Sequence, residues 1–240
     1  MMTRRETLPW FIHGHCYEEP GLPATLTSCI KIMQQSYLDR EPHQRKDSLW
    51  PVVDDETRRF LRTLEGCSRQ ELLVNKQAQI MYAIVCMLDN MSSLGIPEVR
   101  LQILMSYQRC QYFDNNVMFE VDAIDDPCET WEDWVTGLLW FLMSRIADLK
   151  FGVMCPVVRG YRTLPLPAPG PLWNARTPGE WRTLRDSYRR DVGRHTLRTF
   201  GDLVEARSQT PDSELGKQLN DWYASCDQLG ILLSLATTMV

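Results

Sequence analysis

Residues 80–88 are apolar on every side of a helical projection, and this run constrains the fold more than any other segment. A helix that is apolar all round has to be covered by neighbouring elements on most of its sides. The surrounding residues 71–90 therefore predict a central helix around which other helices pack. The chain is long enough for this, because 240 residues bury roughly 70% of the surface of the unfolded chain.

Apolar side chains recur at spacings of three and four along residues 22–37, as on the buried face of a helix. Further helices are predicted for residues 49–64, 98–113, 131–151 and 213–237. A further helix is predicted to begin after Thr177, because a threonine followed by Pro178 and Glu180 is typical of a helix start. Strand signals are weak, so we predict an all-α, irregular bundle of about seven or eight helices.

A proline-rich stretch divides the predicted helices. Residues 156–178 hold six prolines, which exclude one continuous helix, yet they also hold large apolar side chains that are not typical of a disordered linker. We predict an extended crossover along the surface of a single helical domain. Its predicted parts are an arm at 1–20, the main helical core at 21–155, the crossover at 156–178 and carboxyl-terminal helices at 179–240.

Charge and cysteine usage exclude several classes of function. The chain has 26 basic and 31 acidic residues, a net charge of −5, so the basic surface that nucleic acid requires is not expected. No run of 18 uncharged apolar residues exists, and we predict no membrane span. The eight cysteines form no CxxC pair, which favours reduced thiols and a cytoplasmic location, or a nuclear one for a regulator.

Sequence motifs for common cofactors and catalytic devices are also missing. GxSxG, the Walker A loop and GxGxxG do not occur, which argues against the usual serine hydrolases, P-loop enzymes and Rossmann dehydrogenases. We therefore predict neither a cofactor nor a metal ion. The many tryptophan and methionine side chains suit the core first, and they also suit a pocket for a hydrophobic small molecule.

Arg145 and Asp148 lie in the apolar helix predicted for residues 131–151. A lone guanidinium inside a core is very costly, so Arg145 needs a partner. Asp148 would provide a structural ion pair, whereas a bound anion or carbonyl would make Arg145 a ligand-orienting residue, and the sequence leaves both alternatives open. The candidate substrate-binding residues of this helix are Trp134, Leu138, Trp140, Phe141 and Asp148.

Tyr82, Cys86 and Asp89 recur at i, i+4 and i+7 on the predicted central helix. Asp89 could simply close the helix. Alternatively, the three side chains face a pocket as polar groups in an apolar wall. In that case Cys86 and Asp89 are candidate substrate-binding residues, and Tyr82 joins Arg145 as a candidate catalytic hydrogen-bond donor.

Short motifs between residues 9 and 182 occur in a fixed order. They are Pro9-Trp10-Phe11-Ile12-His13; Leu49-Trp50 with Glu56 and Arg58-Arg59; Leu72-Leu73 with Gln77-Ala78 and Tyr82; Trp131 and Trp134; and Leu164-Pro165-Leu166-Pro167 with Leu172-Trp173-Asn174-Ala175 and Trp181. In order and spacing they resemble the helical regulatory, or middle homology, region of fungal zinc-cluster transcription factors. The resemblance implies a helical fold for most of the chain.

Two departures from that family bear on function. Its DNA-reading CxxCx6C cluster is missing from these 240 residues, which argues against DNA binding. The family has an acidic residue and an Arg-Arg pair that align near Gly137-Leu138 and Trp140-Phe141. Positions that are charged in the family therefore hold apolar residues in this chain. The resemblance thus implies an apolar, aromatic-walled interior in place of an internal ion pair.

Two functions follow from the resemblance. In the first, a stand-alone regulatory domain acts as a cofactor-free cyclase or pericyclase on an apolar terpenoid or polyketide intermediate, as Diels–Alder enzymes of fungal secondary metabolism do. Arg145 or Tyr82 would be the hydrogen-bond donor, and Trp134, Trp140 and Phe141 the walls. In the second, the chain is a non-DNA-binding regulator that senses a metabolite or pairs with a zinc-cluster factor. A homodimer or a helical protein partner is expected there.

Overall fold

The structure is a computed structural model that describes residues 9, 11–12, 21–38, 42–88, 132–151, 159–167, 170–175, 177–195 and 197–240. Within these ranges 81% of the residues are helical and no strand occurs, which confirms the predicted all-α fold. The α-helices are α1 (Ala24–Leu38), α2 (Pro42–Thr63), α3 (Arg69–Leu88), α4 (Glu132–Phe151), α5 (Gly170–Trp173), α6 (Pro178–His195), α7 (Phe200–Arg207), α8 (Glu214–Ser225) and α9 (Gln228–Ala236).

The helix predicted for residues 98–113 lies outside the described residues. None of the helices in the described ranges is long and apolar enough to cross a membrane.

The chain divides into two units, the first made of Met1–Met118 and Ile146–Val153, the second of Phe119–Arg145 and Met154–Val240. That residues 1–240 fold as a single domain stays a prediction.

The core of the first unit forms around α3, against which α1 and α2 pack. Fourteen of the twenty residues of α3 are buried, as the apolar run at 80–88 predicts for a central helix. The helix ends at Leu88, which is 73% exposed. A capping box begins it, because the Ser68 amide donates to Glu71 (2.8 Å) and the Glu71 amide donates to the Ser68 hydroxyl (3.3 Å).

The crossover is only partly extended, which corrects the prediction for residues 156–178. Two helical turns interrupt it, a 3₁₀ turn at Arg159–Thr163 and the short α5. Proline is compatible with α5 because Pro171 stands in the first turn, where a backbone N–H has no partner inside the helix. Between these turns, Leu166 and Phe200 donate backbone hydrogen bonds to Arg198 (2.8 Å) and Leu164 (2.9 Å).

The N-cap predicted at Thr177 is confirmed, because the Glu180 amide donates to its hydroxyl at 3.2 Å. The sequence pattern did not predict α7. This helix begins at a capping box in which the Thr199 hydroxyl accepts from the Asp202 amide (3.1 Å) and the Asp202 carboxylate accepts from the Thr199 amide (2.8 Å). Two reciprocal bonds of this kind stabilise a helix as short as eight residues.

The single helix predicted for residues 213–237 is wrong, because α8 and α9 are separate helices. The chain is extended at Cys226, and the Asp227 side chain caps α9 by accepting from the Gly230 amide at 3.1 Å. Only glycine fits at position 230. A Cβ atom there would lie 2.6 Å from the Cβ of Cys226 and 3.1 Å from the ring of Trp222.

Candidate functional site

A cleft of about 1050 Å³ opens within the first unit between α1, α2 and α3. Its walls come from the first turns of α1, the last turns of α2 with the 3₁₀ turn that follows, and the first four turns of α3. This volume is at the upper end of the range typical of small-molecule sites. The apolar part of the lining consists of Pro23, Ala24, Phe60, Val74 and Ala78.

Among the described residues of α3 that line this cleft, Tyr82 lies furthest from the start of the helix. Its side chain is only 2% exposed, so it forms part of an inner wall and not of the rim. Cys86, predicted to face the same pocket, is buried on α3 and is not among the lining residues. Of these two neighbours on α3, only Tyr82 lines the cleft, because the described lining of α3 does not extend beyond Tyr82.

Cys29 on α1 lies against Tyr82. The thiol is fully buried, and it donates to the backbone oxygen of Ala78 with an Sγ–O distance of 3.8 Å. Burial raises the pKa of the Cys29 thiol to about 12; a hydrogen bond from Tyr82 opposes this rise, and the nearby Glu56 carboxylate adds to it. The thiol is therefore protonated and unreactive at neutral pH.

The phenol of Tyr82 also stays protonated. Burial is the main cause that raises its pKa, and the Cys29 and Glu56 groups raise it further, while the Arg59 charge opposes them. A phenol of this kind donates a hydrogen bond but does not act as a general base near neutral pH. Its present acceptor, a thiol sulfur, is weak, so a carbonyl oxygen of a ligand could replace it at small cost.

Four charged side chains line the mouth of the cleft. Arg59 donates from Nη2 to the Glu56 carboxylate, three residues earlier on α2. Glu71 accepts from the Ser68 amide (2.8 Å) and hydroxyl (2.7 Å), and these bonds lower the pKa of the Glu71 carboxyl. Arg62 completes the set. It is exposed and forms no ion pair with any residue that the structure describes.

The other candidate donor, Arg145, lies in the second unit and is 7% exposed. Its Cζ stands 5.8 Å from the centroid of the Phe141 ring. Phe141 stacks on Tyr161 with centroids 5.2 Å apart and also contacts Phe200 at 4.9 Å. Arg145 thus borders a buried aromatic cluster, where a cation over a ring face is stabilised.

The remaining predicted residues fall in different places. Leu138 and Trp140 are buried on α4 in the second unit, together with Phe141. The side chains of Trp134 and Asp148, and the whole of Asp89, lie outside the described residues, so the Arg145–Asp148 ion pair stays a prediction. A pocket shared by Tyr82 and Arg145 stays a prediction as well.

Sequence reasoning did not single out Cys29, Arg59 or Arg62 as site residues. For Arg59 the i, i+3 spacing from Glu56 was a usable signal of a helical ion pair. For Cys29 no local signal exists, since its partners lie on another helix. No protein-family model, curated protein or solved structure matches this chain.

Proposed function

We propose that this chain binds an apolar small molecule in the cleft of the first unit and catalyses a cofactor-free cyclisation there. Tyr82 is the proposed hydrogen-bond donor to the reacting molecule. The reaction class comes from the resemblance to a fungal regulatory domain: a Diels–Alder [4+2] cycloaddition of a terpenoid or polyketide intermediate. The observation that carries the proposal is a protonated phenol in the inner wall of a cleft whose lining is in part apolar.

Such a reaction needs little from the protein besides position and polarity. Diene and dienophile lie in one molecule, two carbon–carbon σ bonds form at the expense of two π bonds, and no atom or proton is lost. An apolar wall that holds both groups close together replaces a random encounter by an oriented one. A donor at the carbonyl next to the dienophile stabilises the negative charge that grows on the oxygen in the transition state.

The surroundings of Arg145 favour a structural role for that residue. Its guanidinium lies over Phe141 inside an aromatic cluster. The donor role is therefore assigned to Tyr82, and Arg145→Leu is the variant that tests this choice. Loss of most activity with folding intact would return Arg145 to the mechanism, and full activity would remove it.

The test begins with the biosynthetic genes beside the gene for this chain. These are expressed in a host with and without it, and the metabolites are compared by mass spectrometry. Purified protein is then incubated with whatever compound accumulates in its absence. We expect conversion of that compound to an isomer of equal mass without any added cofactor.

A different result would establish the alternative function. Uniform loss of all pathway products and transcripts, with no conversion by the purified protein, would contradict catalysis. The chain would then be a regulator without its own DNA-binding module, and a stable complex with a zinc-cluster protein would be the next observation to seek.

A further inference from the structure

Among the described charged groups around the cleft, one positive charge has no ion-pair partner and is available to a ligand. Glu56 is paired with Arg59, and the carboxylate of Glu71 is used by the cap of α3. The Arg62 side chain forms no ion pair with a described residue, although it lines the same cleft. The two acidic and two basic side chains cancel in number, but of the four only the guanidinium of Arg62 has no ion-pair partner among the residues that the structure describes.

The position of Arg62 fits a role at the mouth. Glu56, Arg59 and Arg62 follow each other at intervals of three on α2, so they lie on successive turns of one side of the helix. Phe60 also lines the cleft and is buried at 4% exposure, whereas Arg62 is exposed. A molecule in the cleft would therefore have an apolar environment inside and a guanidinium at its outer end.

We infer that the molecule bound in this cleft is an amphiphilic acid, whose carboxylate pairs with Arg62 while its apolar body lies against Phe60 and Ala78. This inference rests on the proposed use of the cleft as a ligand site. A guanidinium matches a carboxylate with two parallel hydrogen bonds, which a hydroxyl cannot form. A cationic molecule would find both carboxylates of the cleft already engaged.

Three commercial diterpenoids with the same tricyclic body make a direct test: dehydroabietic acid, the corresponding alcohol and the corresponding amine. Their dissociation constants for the intact chain are measured by calorimetry at pH 7.5 and low salt. We expect the acid to bind about 2- to 5-fold more tightly than the alcohol, the gain typical of an ion pair at a solvent-accessible site. The amine is expected to bind most weakly.

Variants of α2 assign the preference to one side chain. Arg62→Gln should remove the advantage of the acid, and Arg62→Glu should reverse it in favour of the amine. Arg58→Gln is the matched control, because Arg58 is exposed on the same helix, pairs with Asp54 at 2.8 Å and is not among the described residues that line the cleft. This control should keep the preference for the acid.

The inference fails if the acid and the alcohol bind equally to the unaltered chain, or if Arg62→Gln leaves the preference unchanged. The proposed function survives that outcome provided that both compounds bind, because an apolar ligand site does not depend on an ion pair with Arg62. If none of the three compounds binds, the use of the cleft as an apolar ligand site is overturned together with the inference.

Discussion

Replacing Tyr82 by phenylalanine is expected to slow the proposed cyclisation by about 100-fold, the effect typical of removing one preorganised donor from a transition state. The ring and its packing in the inner wall are retained, and only the O–H group is lost. Because the phenol is protonated at neutral pH, it is a donor in every molecule of the unaltered protein. The measurement is kcat for the purified variant with the compound that accumulates in the host lacking this chain.

Tyr223→Phe is the matched control for this prediction. Tyr223 is 40% exposed on α8, in the second unit, so loss of its hydroxyl should leave both kcat and folding unchanged. Circular dichroism of both variants separates loss of chemistry from loss of structure. An unchanged kcat in folded Tyr82→Phe would show that Tyr82 is not the donor.

The free energy of unfolding is expected to fall above pH 9 by about 1.4 kcal/mol per pH unit through Cys29 alone. The pKa of this thiol is raised from the ordinary value of 9.0 to about 12 in the folded chain. Between these two values the unfolded chain releases the proton and the folded chain keeps it, so rising pH favours unfolding. Below pH 9 both states hold the proton, and Cys29 makes stability neither rise nor fall. Tyr82, whose pKa is also raised, steepens the fall above its ordinary value of 10.0.

Urea unfolding of the unaltered chain and of Cys29→Ala between pH 8 and pH 10.5 measures this contribution. The variant is expected to be less stable at pH 8, because a buried side chain is truncated. Its free energy of unfolding should nevertheless fall less steeply with pH, because about one proton fewer is released when the variant unfolds. Groups that ionise in both proteins cancel in the comparison. Parallel curves would contradict the buried, protonated state of Cys29.

Much of the helical fold is predictable because its causes are local. The apolar run at 80–88 and the Thr177 cap each depend on residues close together in sequence, and both predictions are confirmed. The break between α8 and α9 cannot be predicted from the apolar pattern alone. The apolar pattern continues across Cys226 and Asp227, and a cap by Asp227 contributes only about 1 kcal/mol. Packing of Gly230 against Trp222 stabilises the break further, and such a contact is not visible in a helical pattern.

The candidate site was predictable only in part, because it too depends on contacts that a pattern along one helix does not show. An aromatic side chain with a hydroxyl in an apolar helix indicated Tyr82, and this residue does line a cleft. Its partner Cys29 lies on α1, and only the packing of α1 on α3 brings the two together. Cys86 has the right spacing from Tyr82 but lies one turn further along α3 and does not line the cleft. Spacing along one helix therefore identifies neighbours on that helix, while the site is built by contacts between helices.

The side chains that line the cleft also bear on how ligand binding depends on pH. The described residues that line it include no histidine, the side chain that ordinarily changes its charge between pH 5 and 8. Binding of dehydroabietic acid at pH 6 and at pH 8 is accordingly expected to agree within about twofold, because a carboxylic acid is ionised at both values. A larger change would reveal a histidine from another part of the chain. The affinity of the cleft for an amphiphilic acid of this kind would then stay nearly constant between mildly acidic and neutral solution.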